Sequence, residues 1–359
     1  MEGCGSPTEG RRLPKGVEVS RYELEEVWFP FSEYILSWDE VFHDILLNDR
    51  IRMEAYRAAI ERAVRPGMSV VDLGTGTGIL AQWALQAGAR RVYGIEMNPN
   101  VLSFAIGRIE KAGFSSQFHP LNTISYKAAL PERVDIVLSE IIGNLGDNED
   151  FVPILTDART RFLKDSGQMI PSQVTTYLVP ISSLKAHFQV KEKLCRSHYP
   201  LEVLNEKLNL SSPFNLYYDA ILPREGYLGQ PQCIRSFRFD GTDAATYDSE
   251  TTFFVEQEGI FSGFKGYFTA QLFDDVVLDI SGDDIERRKT SDSWKHSFLP
   301  IKAPIEVKEG DEISLIFSRF YPNSRTIPFR QYYRWKGAVQ RNGRSVAHFY
   351  QSMDENQKE

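Results

Sequence analysis

The chain has 359 residues, 42% of them hydrophobic and 25% charged, the balance of an ordinary globular protein with room for two cores. A formal net charge of −8 with no basic run argues against an extended nucleic-acid footprint. Cys4, Cys195 and Cys233 are odd in number and outside any CxxC spacing, which argues against a disulfide framework or a zinc site and points to a reducing compartment. The amino terminus has no apolar signal core and no run is long enough to span a bilayer, so the expected setting is the cytoplasm, with no membrane, nucleic-acid or metal partner.

Residues 1–18, rich in Gly, Pro and charge, are expected to form a flexible leader. In "DRIRMEAYRAAIERAV" (49–64), Tyr56, Ile60 and Val64 share one helical face, and Pro66-Gly67 ends the helix. An alternation follows: "SVVDLG" as a buried strand, "ILAQWALQAGA" as a helix, "RVYGIEM" as a strand, "PNVLSFAIGRIEKAG" as a helix and "VDIVLSE" as a later strand. This βαβ rhythm predicts an α/β, Rossmann-like parallel sheet, preceded by helices and spanning 19–172. After "FLKDSGQMIPS" (162–172) short aromatic and β-branched runs separated by turn residues predict an antiparallel β-barrel-like domain over 173–359.

"VVDLGTGTGIL" puts Gly74, Gly76 and Gly78 at a strand-to-helix turn, where backbone must approach a ligand closely. Asp72 lies in the strand before the turn, and Glu96 ends the next strand, where a carboxylate can take both hydroxyls of a ribose. The spacing is G-x-G-x-G, not the G-x-G-x-x-G of pyrophosphate binders. It favours S-adenosylmethionine (AdoMet), with one nucleoside and no phosphate, over NAD or a turn that only packs helix on sheet.

"SEIIGNLGDNED" (139–150) places Glu140 and Glu149 either side of a glycine-bearing turn, just beyond the apolar strand "DIVL". Two surface carboxylates, one of them capping the next helix, are the plain alternative. At the carboxyl edge of an α/β sheet, two close carboxylates call for a cation, and a planar guanidinium with paired N–H donors suits them best.

The stretches "DILLNDRIRMEAYRAAI", "VDLGTGTGILAQWALQAGARRVYGIEMNP", "SEIIGNLGDNED", "RFLKDSGQMIPS" and "SDSWKHSFLPI" occur in the order seen in protein arginine methyltransferases, which the chain resembles over roughly residues 35–350. The resemblance implies a class I AdoMet-dependent methyltransferase domain followed by a β-barrel domain. It also implies AdoMet-dependent N-methylation of arginine, protein-bound or free, to the mono- or symmetric dimethyl form, with S-adenosyl-L-homocysteine as product. Glu140 and Glu149 would be the double-E loop that grips the substrate guanidinium, in a form closest to the symmetric-dimethylating branch, though without that branch's extra N-terminal domain. Arg52 would meet the AdoMet carboxylate, His43 would lie beside the cofactor, and Ile124 and Ser125 would contact adenine, although the acid common there is absent. Ser293 replaces the family's usual histidine, as in the symmetric branch, and Trp294 would line the arginine channel. His296 is a candidate acceptor for the released proton, and Leu46 falls where a bulky residue limits the number of methyls. The family works as dimers, and residues 186–230 are the candidate dimerisation arm of a homodimer. A methyltransferase acting on another small guanidine or amine, and a catalytically silent binding partner, are the remaining alternatives.

Overall fold

The computed structural model describes residue 25 and residues 27–28, 40–196, 212–283, 291, 293–321 and 331–354. The expected leader at 1–18 lies outside these residues, as do positions 197–211 of the candidate arm. The chain opens with β1 (Val27–Trp28), α1 (Glu40–Asn48) and α2 (Arg50–Ala63). It then alternates through β2 (Ser69–Leu73), α3 (Ile79–Gln86), β3 (Arg91–Glu96), α4 (Pro99–Lys111), β4 (Phe118–Asn122), β5 (Val134–Ser139), α5 (Phe151–Phe162) and β6 (Leu163–Ile170).

Strands β2 to β6 form one sheet in the order β4-β3-β2-β5-β6, with every pair parallel. The three central strands read as continuous apolar runs because helices cover both faces. The chain leaves β2 toward β3 and β4, then returns to the other side of β2 as β5. The crevice beyond the carboxyl ends of β2 and β5 is therefore the switch point, where such sheets hold ligands. Both edge strands escaped the sequence reading. "FHPLN" carries Pro120 and Asn122, and "LKDSGQMI" carries a polar run with Gly167. Edge strands tolerate such residues because only one side must pair.

Beyond Ile170 every strand pair is antiparallel. The elements are β7 (Gln173–Ile181), α6 (Leu184–Lys191), β8 (Tyr218–Ala220), β9 (Gln232–Phe237), β10 (Tyr247–Phe254), β11 (Gly259–Phe273), β12 (Val276–Asp279), β13 (His296–Val307), β14 (Glu312–Phe320), β15 (Tyr332–Arg341) and β16 (Arg344–Ser352). One sheet runs β1-β8-β13-β11-β7-β9 with β12 added on β11, and the other runs β10-β14-β15-β16. Together they enclose a second, aromatic core that includes Phe253, Phe261, Phe264, Phe298, Phe317 and Trp335, a barrel-like arrangement. Tyr217, Tyr218, Ala220, Leu222 and Leu228 are buried in this core. Ala186, Val190 and Cys195 from the earlier described part of the candidate arm pack into the same core, and of its described residues only Tyr218–Ala220 form a strand.

Candidate active site at the head of the parallel sheet

The turn after β2 has Gly74, Gly76 and Gly78 at φ +74°, +54° and +79°, a left-handed region that a side chain enters only at a cost. A Cβ on Gly78 would come within 2.9 Å of Ala105 on α4, and one on Gly76 within 3.4 Å of the His43 ring. The third glycine therefore lets two helices meet, and the second lies under His43. Asp72 is fully buried. Its Oδ2 accepts from Thr75 Oγ1 at 2.6 Å and from the Ala81 N–H at 3.1 Å, which ties the turn to the start of α3. Burial pushes this carboxyl up to about 7 against those two bonds, and its Oδ1 has no hydrogen-bond partner.

Glu96 accepts from the Asn98 N–H at 2.8 Å and the Gly76 N–H at 3.1 Å, so it spans the gap from β3 back to the glycine turn. Its carboxyl is raised by burial, with the backbone donors opposing. The Thr123 N–H bonds the Glu96 carbonyl at 3.1 Å, and this brings Ile124 and Ser125 to the rim beside it. Ile124 is exposed, and the Ser125 carbonyl is held by Arg161 at 2.7 Å.

Glu140 follows β5 directly, and Glu149 lies in a single 3-10 turn, Asp147–Glu149, ahead of α5. Glu149 is buried, and the helix-capping position belongs to Asp150, whose side chain makes no cap bond. Tyr56, buried on α2, donates from its hydroxyl to the Ser139 carbonyl at 3.0 Å. Burial first, then Glu140, with smaller contributions from Asp72 and Glu149, holds that phenol well above its ordinary value. Burial also pushes Glu140 up to about 7, with Arg52 opposing.

Arg52 joins these parts. Its Nη1 lies 3.0 Å from Glu140 Oε2, and its guanidinium carbon sits 3.4 Å from the centre of the Trp294 ring. Trp294 is fixed in turn by an Nε1–H bond to the Ile142 carbonyl at 2.7 Å and an edge contact with Phe268. Arg52 Nη1 is engaged by Glu140, whereas the buried Nε has no hydrogen-bond partner among the described residues and is left to donate to a further anion. Asp49, the cap of α2, accepts from the Arg52 N–H at 3.1 Å with one oxygen. Its other oxygen accepts from the Ser293 N–H at 3.0 Å and from the hydroxyls of Ser293 and Ser291. Ser293 therefore ties the Trp294 segment to the helical junction, and Leu46, half-buried on α1, adjoins that junction through its carbonyl bond from the Asp49 N–H.

His296 does not join the site. It is fully buried in the barrel, where Nδ1 accepts from the Leu222 N–H at 3.0 Å and Nε2 faces the carbonyls of Ile280 and Gly282. With both nitrogens engaged and burial holding the ring well below its ordinary value, it is not placed to collect a proton. Its proximity to Trp294 in sequence misled because Trp294 lies ahead of β13, whereas His296 is the first residue of that strand and is buried against Leu222, Ile280 and Gly282.

The sequence reading also missed what fastens the loop. Asn144 bonds Asp219, the Leu145 carbonyl accepts from Thr176 at 2.8 Å, and the Asn148 carbonyl accepts from Gln331 at 2.8 Å. Asp147 accepts from Tyr247 at 2.8 Å and from Tyr333 at 2.7 Å, and lies 3.1 Å from Arg319. Only Asp49 left a local signal, as an aspartate at a helix start.

Two family models match the chain: the PRMT5 oligomerisation domain over residues 173–346, and ribosomal protein L11 methyltransferase (PrmA) over 57–179. Protein arginine N-methyltransferase 5 of Xenopus laevis is 31% identical over 296 residues, covering 77% of this chain and 44% of that protein. Protein arginine N-methyltransferase PRMT10 of Arabidopsis thaliana is 26% identical over 328 residues, covering 83% of this chain and 85% of that protein. The chain belongs to the protein arginine methyltransferase family. It spans less than half the length of the Xenopus protein. The open-conformation crystal structure of Arabidopsis thaliana protein arginine methyltransferase 10 superposes with a TM-score of 0.74 at 20% identity, over 90% of this chain and 100% of that one. The PRMT1 enzyme-prozyme heterotetrameric complex of Trypanosoma brucei, with AdoHcy, gives 0.70 at 20% identity, over 86% and 96%. These structures share the fold.

Proposed function

We propose that this family member transfers a methyl group from AdoMet to a guanidino nitrogen of arginine. The observation that carries the reading is the Arg52 guanidinium, whose central carbon lies 3.4 Å from the centre of the Trp294 ring and whose Nη1 meets Glu140. The space beside the double-E loop thus has the chemistry to hold a planar cation, and the names of the relatives point to the same substrate. Glu96 would take the ribose hydroxyls, the Arg52 guanidinium through its unpartnered Nε–H the carboxylate, and His43, Asp72 and the glycine turn the remainder; Ile124 and Ser125 would flank adenine. When bound, AdoMet supplies an electrophilic sulfonium methyl.

A guanidinium nitrogen is a poor nucleophile because its lone pair is delocalised over the planar ion. Glu140 and Glu149 draw the positive charge toward two nitrogens and aim the third, so catalysis is orientation and electrostatics without a covalent intermediate. Glu140, raised to about 7, is the group able to hold the proton released at nitrogen. Trp294 supplies a flat wall for the guanidinium, and Leu46 bounds the space left for a second methyl.

In this reading the protein is a homodimer of the cytoplasm. Phe188, within the candidate arm and 54% exposed, and Leu184, one turn before it on α6 and 53% exposed, offer an apolar face for the partner. Incubation with labelled AdoMet and, separately, free L-arginine, an Arg-Gly-rich peptide and histone tails, followed by mass spectrometry, identifies acceptor and product. Transfer only to a different amine, or to none, would overturn the assignment.

A further inference from the structure

Glu149 has no regular element to fix it. Its single turn lies between Gly146, at φ 89°, and Asp150, at φ 59°. Asp150 is a non-glycine residue in the left-handed region, a conformation that persists only where the surroundings hold it. Capping of α5 does not supply that hold, because the Asp150 side chain makes no cap bond. Its carboxylate accepts instead from Arg319 Nη2 and from the Tyr321 hydroxyl, each at 2.8 Å.

Arg319 comes from β14 and its side chain is fully buried. The same guanidinium reaches both ends of the turn. Its Nε lies 3.1 Å from Asp147 Oδ2, its Nη2 also donates to the Asp147 carbonyl at 3.2 Å, and its Nη1 donates to the Ala245 carbonyl. The two acids that flank Asn148 and Glu149 are thereby held by one planar group from the other domain. A guanidinium is suited to this because its N–H groups diverge in a fixed plane, whereas an ammonium is a single point of charge.

We propose that Arg319 is a positioning residue for Glu149: by clamping Asp147 and Asp150 it fixes the turn, and so the angle at which the Glu149 carboxylate meets the substrate guanidinium. The proposal rests on the reading of Glu140 and Glu149 as the grip on arginine. A buried ion pair with no bearing on the site is the alternative, and such pairs contribute little to stability beyond what an apolar replacement would.

Two full-length variants test it. Arg319→Lys keeps the charge but loses the fork, and Tyr321→Phe removes one hydroxyl at the rim of the clamp. AdoMet affinity is measured by calorimetry, arginine-peptide affinity in the presence of S-adenosylhomocysteine, and kcat and KM well below each unfolding midpoint. The expected result for Arg319→Lys is AdoMet affinity within about twofold of wild type, kcat lower by at least about tenfold and a smaller rise in KM; Tyr321→Phe loses about two- to threefold in kcat. A folded Arg319→Lys with wild-type kcat and KM overturns the proposal, as does a fall in kcat matched by an equal loss of AdoMet affinity. If Arg319→Lys does not fold, Tyr321→Phe decides, and unchanged kcat overturns it. A wild-type protein that binds AdoMet but neither binds nor methylates any guanidine removes the underlying reading and this proposal with it. That outcome is distinct from one in which only the variants fail to respond.

Discussion

Replacement of Glu140 by glutamine keeps the side-chain shape and removes one charge from a carboxylate that is only 17% exposed and lies 3.0 Å from a guanidinium nitrogen. At that separation and an effective dielectric near 20, the raw attraction is about 5 kcal/mol. Breaking a buried pair from one side generally costs about 3–5 kcal/mol, because the partner is left without compensation. If a substrate guanidinium meets Glu140 as Arg52 does, and the interaction serves the transition state, turnover falls by about 10²- to 10⁴-fold at about 1.4 kcal/mol per factor of ten. Single-turnover transfer from saturating labelled AdoMet reads this loss directly, with calorimetry of AdoMet binding alongside. Affinity for AdoMet is expected to persist, since Arg52, released from Glu140, keeps its N–H groups for the cofactor. Glu149→Gln should behave alike, and the double variant should be scarcely worse than the worse single one, because the pair acts as a unit. A pH arm sharpens the test. With its carboxyl near 7, Glu140 is ionised above that pH and takes a proton below it, so wild-type kcat/KM falls as the solution is acidified through about 7. Glu140→Gln lacks that limb. Either single variant within threefold of wild type, or a double variant whose losses multiply, would refute the reasoning.

Three other outcomes are expected. Glu96→Ala should weaken AdoMet binding by at least about tenfold in a folded protein, since charge-assisted bonds contribute about 1.5–3 kcal/mol each; unchanged calorimetric affinity would remove the ribose assignment. The Asp72 carboxyl stands at about 7 in the fold against an ordinary 3.8, so its contribution to stability is fully present below about pH 4 and is lost as pH rises through 7. Asp72→Asn should therefore gain thermal stability over the wild type as pH rises from 4 to 8, and a difference independent of pH in ligand-free protein would contradict this. Light scattering at micromolar concentration should give twice the 41.0 kDa chain mass, falling to that mass in Leu184→Asp with Phe188→Asp, whereas a wild-type monomer would count against the dimer.

The parts legible in the sequence are those written in local periodicity or in residues with few uses. The central strands of the parallel sheet read as apolar runs, and the glycine triplet marked a turn whose positive φ values need glycine. The position of Glu140 just beyond an apolar strand was legible for the same reason, since the strand itself is an apolar run. What stayed hidden depends on pairing across distance. Arg319 lies 172 residues from the Asp147 carbonyl it holds, and Tyr333 lies 186 residues from the Asp147 carboxylate it holds. On β14 and β15 both look like ordinary members of alternating strands. Trp294 was read as lining a channel, but nothing local indicated that Arg52 would be the residue stacked on it. The polar edge strands β4 and β6 are hidden for a related reason, since their sheet neighbours, not their own composition, make them strands.

The seam around residues 140–150 bears on how such a protein can diversify. In the proposed reading the nucleoside would be held by the parallel sheet and its turns, whereas the loop carrying Glu140 and Glu149 is fastened by Asp219, Thr176, Arg319, Tyr333 and Gln331, all carried by the barrel. The acceptor loop thus leans on the barrel strands more than the glycine turn and Glu96 do, although Trp294 and Ser293 also reach Arg52 and the start of its helix. Substitutions in β14 and β15 would then act on acceptor choice more than on the nucleoside end of the donor. A screen for altered acceptor choice should accordingly find its variants in β14 and β15, far from the glycine turn in sequence and a few ångströms from the loop in space.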